Sequence, residues 1–268
     1  MGKIPVEGSK NSTAPTTRLS LILQDILYLF NRGYDKRRAI DFVASRYLLD
    51  RSWRNFIFRT LSSNDTARQT KAKLRSMEQL RGQSLGVDGF NILITLQEME
   101  QNQSVYLCYD HVIRDTAGNY GRFYSEEGGV RAIQTLVAVL LALPLAEFTI
   151  FLDEPVSHSG KVAGQLREEL ARQTTTFSGE SRSVDVHPSA AVATVKSPDH
   201  ELRRFDVVAS HDSVVIEKAK AVFDIPHHAI AMHLLSPPIV DIRSLLQGSG
   251  EIPGELQARL DELFPNSD

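Results

Sequence analysis

Cysteine is nearly absent from this sequence of 268 residues, since Cys108 is the only one. An intramolecular disulfide and a zinc site made of several cysteines are therefore excluded, and a reducing cytoplasm fits this composition. Long apolar runs are also missing: the longest, Leu136 to Leu145, contains Pro144 and at about ten residues is too short to span a bilayer. Residues 1–17 lack the apolar segment of a signal peptide, so the sequence predicts a cytoplasmic protein without membrane contact.

Three common enzyme motifs are missing as well. The sequence contains no G-x-S-x-G, no P-loop and no G-x-G-x-x-G. Serine-hydrolase, NTPase and dinucleotide-binding functions therefore lack support. What remains is the composition of an ordinary globular protein, with 42% hydrophobic and 24% charged residues.

Positive charge is concentrated at the start of the chain. Residues 1–81 contain 16 basic and 7 acidic residues, a net charge of +9, whereas the remainder contains 14 basic and 26 acidic residues, a net charge of −12. This asymmetry is typical of a nucleic-acid-binding module joined to a different kind of domain. Solvated helix surfaces give the same count, and both interpretations stay open.

The chain divides into four predicted parts. They are a disordered tail (1–17), a basic helical domain with its linker (18–82), an α/β domain (83–240) and a C-terminal helical extension (241–268). Helical periodicity and short turns predict three helices over residues 18–61, in an arrangement similar to a helix-turn-helix bundle. Arg37, Arg38 and Arg54 are its candidate phosphate contacts, although such bundles also pack on neighbouring domains.

From Leu85 onward, apolar strands alternate with helices. This pattern predicts an α/β fold with a parallel sheet covered by helices on both faces, preceded by the small all-α domain. The clearest strands end at Asp88, Asp153 and Ser210. Further predicted elements are strands at 105–115, 183–188 and 225–233, a hairpin strand at 120–124, a loop and a helical turn at 189–204, a helix at 212–222 and surface helices at 241–264.

Four aspartates end strands or begin helices in this domain: Asp88, Asp153, Asp199 and Asp212. Carboxylates at one edge of a parallel sheet converge on one crevice, where several of them stay ionised only around a cation. An all-oxygen site of this kind suits Mg²⁺ or Mn²⁺, and two such ions about 4 Å apart activate a water for phosphodiester cleavage. Aspartate is also typical of helix caps and turns, and that structural interpretation stays open.

The order and flanks of these residues resemble the PIN-like nuclease superfamily, in particular its NYN branch. The matching motifs are V-D-G-F-N with Asp88 and Asn91, F-L-D with Asp153, K-S-P-D with Lys196 and Asp199, and V-V-A-S-H-D with Ser210 and Asp212. The resemblance implies a PIN-like fold and a metal-dependent ribonuclease-type site. In that site the four aspartates would hold the metal ions, and Asn91 and Ser210 would orient them. The whole chain also resembles a prokaryotic family of unknown function that pairs a basic helical domain with a PIN-like one.

Several further residues are candidate substrate contacts. The resemblance assigns Lys196 and Ser210 to this group. Ser157, Ser159 and Lys161 surround the start of a predicted helix, where backbone N–H groups bind phosphate. A simple N-cap by Ser159 is the alternative.

These patterns favour a metal-dependent nuclease whose basic helices position nucleic acid, RNA rather than DNA. One alternative is a non-catalytic nucleic-acid-binding or regulatory protein on a PIN-like scaffold, because a fold does not by itself establish an activity. A phosphohydrolase that acts on small phosphate esters is a third hypothesis. A homodimer is compatible with the sequence.

Overall fold

The computed structural model describes residues 15–116, 127–153, 159–176, 192–195, 205–249 and 254–263. Its first part is helical, as the periodicity predicted, with α1 (Pro15–Asn31), α2 (Lys36–Tyr47), α3 (Arg51–Thr60) and α4 (Asn64–Lys73). The side chains of Asp35, Asp50 and Ser63 cap α2, α3 and α4, because each accepts a hydrogen bond from the backbone N–H three residues later. Helix α4 occupies the first half of the segment predicted to be a linker.

The second part alternates strands with helices. In chain order it contains β1 (Ser84–Asp88), α5 (Gly89–Glu100), β2 (Val105–Leu107), β3 (Ile113–Arg114), α6 (Glu127–Ala142), β4 (Glu147–Asp153), α7 (Ser159–Thr176), β5 (Val192–Val195), β6 (Val207–Ala209), α8 (Ser213–Lys218), α9 (Ile225–Ala231), β7 (Ile239–Asp241), α10 (Ile242–Leu246) and α11 (Gly254–Leu263). Among the described helices, none combines the length and the apolar character that a membrane crossing requires.

The main sheet is parallel, and its strand order is β5-β4-β1-β6. Alternate residues of its strands enter two different clusters, since Val87 and Ile150 pack with α5, α6 and α7, whereas Phe151 and Val208 pack with α8. Helices therefore cover both faces, and the predicted α/β class is confirmed. The chain leaves β1 towards β4 and β5 on one side, whereas β6 lies on the other side. The boundary between β1 and β6 is the point where such sheets open a crevice for ligands.

The N-terminal helices share a core with the end of the chain. Helices α10 and α11 pack against α1, and Leu245 and Leu260 are completely buried there. Phe56 of α3 also meets Tyr106 of β2 edge to face, with ring centroids 5.2 Å apart. The C-terminal helices, predicted to lie on the surface, instead complete the core of the helical part. The helical bundle thus packs on the neighbouring part of the chain, as the alternative to phosphate binding predicted.

A small second sheet replaces the single strand predicted at 105–115. Strands β2 and β3 are antiparallel partners joined by a tight turn, and β7 pairs with β2 in parallel. The turn depends on Asp110, whose Oδ1 accepts a hydrogen bond from the Val112 N–H, and on His111, which has a positive φ of 71°. Such local side-chain bonding favours a turn over a continuous strand. The predicted partner strand at 120–124 lies outside the described residues.

Three other predictions of secondary structure were wrong. Residues 225–231 of the strand predicted at 225–233 are helical, because Asp224 caps the helix by accepting from the His227 N–H at 3.0 Å, and Pro226 occupies its first turn. Strand β5 lies in the segment predicted as a loop, and α8 ends at Lys218 rather than at residue 222. The predicted strand at 183–188 lies outside the described residues.

Gly89 allows α5 to start directly against β4. A Cβ atom at this position would lie 2.7 Å from the Phe151 carbonyl oxygen and 2.7 Å from Leu152 Cδ2. No real Cβ contact is that short, so the glycine is required by close packing of the helix on the strand. This contact fixes where the chain turns after Asp88.

Candidate functional site

Asp88 ends β1 and is buried, with 7% of its surface exposed. Its Oδ2 atom accepts hydrogen bonds from Asn91 Nδ2 and from Ser210 Oγ, both at 2.8 Å. Asn91 lies in the first turn of α5, and Ser210 follows β6, so the donors come from both sides of the β1–β6 boundary. The structure brings these three predicted site residues together, and the two donors fix the orientation of the carboxylate.

Asp212 joins this cluster through its backbone, because its N–H donates to Ser210 Oγ at 3.0 Å. The Asp212 side chain is exposed, and its Oδ1 accepts from the Val214 N–H at 2.7 Å at the start of α8. The helix-cap interpretation is therefore confirmed for Asp212. The cap also holds this carboxylate two residues beyond Ser210, at the same end of β6 as the candidate site.

Asp153 ends β4, which pairs in parallel with β1. Two of the predicted aspartates thus end neighbouring strands at one edge of the sheet. The Asp153 side chain, together with all of Lys196 and Asp199, lies outside the described residues. Over the described part of the chain, no three His, Cys, Asp or Glu side chains are grouped to hold a metal ion. The four-aspartate metal site therefore stays a prediction.

The predicted phosphate loop before α7 is described only in part. Ser157 and the Ser159 side chain lie outside the described residues, although Ser159 is the first residue of α7. Lys161 lies in the first turn of the same helix and is exposed. Phosphate binding at this helix start stays a prediction.

A buried polar network surrounds His211, which is 5% exposed. The Thr95 hydroxyl donates to Asp115 Oδ2 at 2.8 Å and lies 3.0 Å from His211 Nδ1. Since that hydroxyl proton is directed to the carboxylate, the assigned tautomer of His211 carries its proton on Nδ1 and donates to Thr95. Arg59 completes the network by donating to the carbonyl oxygen and to Oδ2 of Asp115, at 2.8 and 3.0 Å.

The His211 ring is held in its neutral form. Burial lowers the pKa of this histidine well below its usual value, and the positive charges of Arg114 and Arg59 lower it further. The Nε2 atom is buried and has no hydrogen-bond partner among the described residues. The neutral ring therefore offers an unused acceptor at Nε2.

A buried ion pair lies next to this network. Arg114 NH1 and NH2 donate to Asp110 Oδ1 and Oδ2 at 2.6 and 2.7 Å, and Arg114 Nε donates to the His211 carbonyl oxygen at 3.1 Å. Burial opposes ionisation of both groups, yet their mutual attraction raises the pKa of Arg114 and lowers that of Asp110. The two-point contact links the turn of the second sheet to the end of β6.

A cavity of about 590 Å³ opens beside His211, between the N-terminal helices and the end of β6. Its charged lining is mostly basic, with the side chains of Lys36, Arg37, Arg51, Arg54, Arg59 and Arg114. The acidic lining residues are Asp41, Asp110 and Asp212. The cavity therefore places the basic helical region directly beside one of the predicted catalytic aspartates.

Lys36 is a cation of this cavity whose charged form is disfavoured by its surroundings. Burial lowers its pKa to about 8, Arg114 lowers it further, and Asp110 opposes the change. Its Nζ lies 4.6 Å from the centroid of the Phe58 ring. At neutral pH the amine carries a charge that the surrounding residues disfavour, and an anion in the cavity would relieve this.

The predicted phosphate contacts of the bundle have different positions. Arg37 lines the cavity, and so does Arg54, which forms an ion pair with Asp41 at 2.8 Å. Arg38 is exposed but does not line the cavity, and its described role is to donate its backbone N–H to the Asp35 cap. Two of the three predicted arginines thus belong to one basic surface.

Sequence reasoning missed the polar residues around His211. Asp110, Arg114 and Asp115 are charged residues that follow apolar strand residues, but nothing local indicates that they are buried together. The position of His211 could have been predicted, because it lies between two candidate site residues, Ser210 and Asp212. Consecutive residues of an extended segment point to opposite sides, so a histidine next to Ser210 is directed away from Asp88.

Two family models match the chain. One, described as a domain of unknown function (DUF5616), matches residues 77–228, and the other, described as a protein of unknown function (DUF434), matches residues 18–73. The uncharacterized protein MJ0935 of Methanocaldococcus jannaschii is 35% identical over 209 residues, which cover 77% of this chain and 94% of that protein. No solved structure matches the chain significantly. Because the DUF5616 model covers more than half of the sequence, including β1 and the end of β6, the chain belongs to the DUF5616 family.

Proposed function

We propose that this protein is a PIN-like, NYN-type nuclease that hydrolyses phosphodiester bonds, preferentially in RNA, with the help of Mg²⁺ or Mn²⁺. The observation that carries the proposal is the Asp88 carboxylate, buried at the end of β1 and held by Asn91 and Ser210. A carboxylate at the carboxyl edge of a parallel sheet, where the strand order reverses, occupies the usual position of an α/β catalytic group. The lining of the basic cavity includes Asp212, whose backbone N–H donates to the same Ser210 hydroxyl that holds the Asp88 carboxylate.

The residues present suit a hard divalent cation. Asp88, Asp153 and Asp212 end or follow three adjacent strands of one sheet and offer only oxygen ligands, which Mg²⁺ and Mn²⁺ prefer. A bound ion of this kind supplies a water of lowered pKa and neutralises charge on the phosphate. Asn91 and Ser210 would keep the Asp88 carboxylate in a single orientation, as hydrogen-bonded supports of metal ligands do.

The protein's other contribution would be to position the substrate. Arg37 and Arg54 line the cavity, and phosphate contacts from such side chains fix the register of a nucleic-acid strand without reading its sequence. Because this attraction comes from charge, binding should weaken steeply as salt increases. Strand binding beside Asp212 would bring a phosphodiester to the edge where the aspartates lie.

A non-catalytic nucleic-acid-binding protein is the second candidate function. The observation in its favour is that the Asp212 carboxylate caps α8, so this residue has a structural reason to be present. In that case the basic cavity would bind nucleic acid, and the Asp88 hydrogen bonds would only stabilise the β1–β6 boundary. This candidate predicts strand binding that is independent of Mn²⁺ and no cleavage.

The two candidates are separated by a cleavage assay on structured and single-stranded RNA with Mn²⁺. We expect the wild-type protein to cleave RNA, and we expect Asp88→Asn to reduce the rate by at least about 100-fold, as losses of charged catalytic groups usually do. The substitution keeps the size of the side chain, and its amide oxygen can accept from Asn91 and Ser210 as Oδ2 does. Equal rates for the two proteins would refute the nuclease proposal.

Asp206→Asn is the matched control. Asp206 lies at the opposite, amino-terminal end of the same two strands, where its Oδ2 accepts from Ser84 Oγ at 3.1 Å and from the Ser84 N–H at 3.2 Å. This variant also neutralises a hydrogen-bonded aspartate between β1 and β6. It should retain wild-type cleavage, since its carboxylate lies at the wrong edge of the sheet.

A further inference from the structure

The cavity beside His211 has the size of a binding site for a small ligand. Its volume of about 590 Å³ lies inside the range of roughly 300–1,000 Å³ that is typical of ligand pockets. Helices α2 and α3 form one wall, and Asp110, Arg114 and residues 211–213 form the opposite wall. The lining thus includes Asp212 but not Asp88.

Three cations of this cavity form no close ion pair with the described residues. Arg54, Arg59 and Arg114 are paired with Asp41, Asp115 and Asp110, respectively. Within the described part of the chain, no ion pair is formed by Lys36, Arg37 or Arg51. The cavity thus concentrates positive charge that the protein itself does not neutralise, and it suits a ligand with about two negative charges, such as a phosphate monoester.

We propose that this cavity binds a nucleoside 5′-phosphate. Lys36, Arg37 and Arg51 would hold the phosphate. The ring of Phe58, half-buried in the same wall, supplies apolar surface for the remainder of the nucleoside. The ligand is either a free nucleotide or the phosphorylated 5′ end of a strand. The identity of the ligand rests on the proposed nuclease function, whereas the anion site rests on the geometry of the cavity.

Calorimetry on the full chain in EDTA tests the proposal without any metal-dependent step. The probes are AMP, adenosine and inorganic phosphate. Wild type should bind AMP at least about tenfold more tightly than adenosine, which lacks the phosphate, and than inorganic phosphate, which lacks the nucleoside. Equal affinities for AMP and adenosine would overturn the proposal.

Two variants assign the phosphate contact. Arg51→Gln should weaken AMP binding by at least about tenfold, whereas Arg46→Gln, an exposed arginine of α2 outside the cavity, should not change it. Unchanged affinity in Arg51→Gln would overturn the proposal.

Two oligoribonucleotides that differ only in a 5′-phosphate identify the source of the ligand. Tighter binding of the phosphorylated strand assigns the cavity to strand ends, whereas equal binding of both strands alongside tight AMP binding assigns it to free nucleotides. Asp88→Asn should bind AMP like wild type in either case. If AMP binding survives while RNA cleavage is never observed, the nuclease proposal fails and the nucleotide site stands.

Discussion

Replacing Gly89 by alanine tests how the fold positions Asp88. The added Cβ would lie 2.7 Å from the Phe151 carbonyl oxygen and 2.8 Å from Ile150 Cγ2. The carbonyl belongs to the backbone of β4, which is hydrogen-bonded on both sides to β1 and β5, so it cannot move away as a flexible side chain would. Overpacking of this kind costs about 1–3 kcal/mol. Alanine recovers at most about 1 kcal/mol of helix propensity, and less at the first residue of a helix.

We therefore expect Gly89→Ala to lower the free energy of unfolding by about 1–3 kcal/mol, measured by urea denaturation followed by circular dichroism. The matched control is Gly164→Ala in the middle of α7, where a Cβ would meet nothing within 4 Å. That substitution should stabilise the protein by roughly 0.5–1 kcal/mol, because alanine lowers the conformational entropy of the unfolded chain. If Gly89→Ala is as stable as Gly164→Ala, the close contact between α5 and β4 is not what requires glycine.

The remaining predictions concern the groups around the site. Asp110→Asn should lower the free energy of unfolding by about 3–5 kcal/mol, because it leaves the buried Arg114 charge without its carboxylate. Ser210→Ala should lower it by about 1–3 kcal/mol and weaken Mn²⁺ binding, because Asp88 loses one of the donors that orient it. The stability of wild type relative to Lys36→Met should rise between about pH 8 and pH 10. In this range folded Lys36, with its pKa of about 8, has released its proton, whereas Lys36 of the unfolded chain still holds one, so a rise in pH favours the folded state.

Each of these predictions has a distinct contrary result. A change below about 1 kcal/mol in Asp110→Asn, by urea denaturation, would mean that water reaches Arg114 and that the pair is not buried. Unaltered Mn²⁺ affinity in Ser210→Ala, by calorimetry, would show that Ser210 does not orient the carboxylate. A stability difference between wild type and Lys36→Met that stays flat over this pH range would mean that the amine is solvated.

The elements that sequence could predict are those set by local patterns. Helix α3 follows from a capping Asp50 and the spacing of Trp53, Phe56 and Ile57. The contact between Asp88 and Asn91 follows from a strand end that passes directly into a helix, which puts residues three apart on one side. The alternation of strands with helices predicted the parallel sheet for the same local reason.

The rest depends on contacts between distant segments. The apolar residues from Ile225 to Ile230 suit a strand as well as a helix, and the Asp224 cap decided between them. The turn around Asp110 is stabilised by Arg114, and that buried pair exists only because the N-terminal helices cover it. The cavity beside His211 likewise needs the helical part and the sheet together, so no single motif indicated it.

Mn²⁺ binding tests the central claim most directly, namely that Asp88 belongs to a metal site at the β1–β6 boundary. The measurement is a calorimetric titration of Mn²⁺ into wild type, Asp88→Asn and Asp206→Asn, each with an oligonucleotide that resists cleavage. We predict binding to wild type and to Asp206→Asn, and at least about tenfold weaker binding to Asp88→Asn, because one charged ligand is lost. Equal binding to all three proteins, or to none of them, would contradict the account.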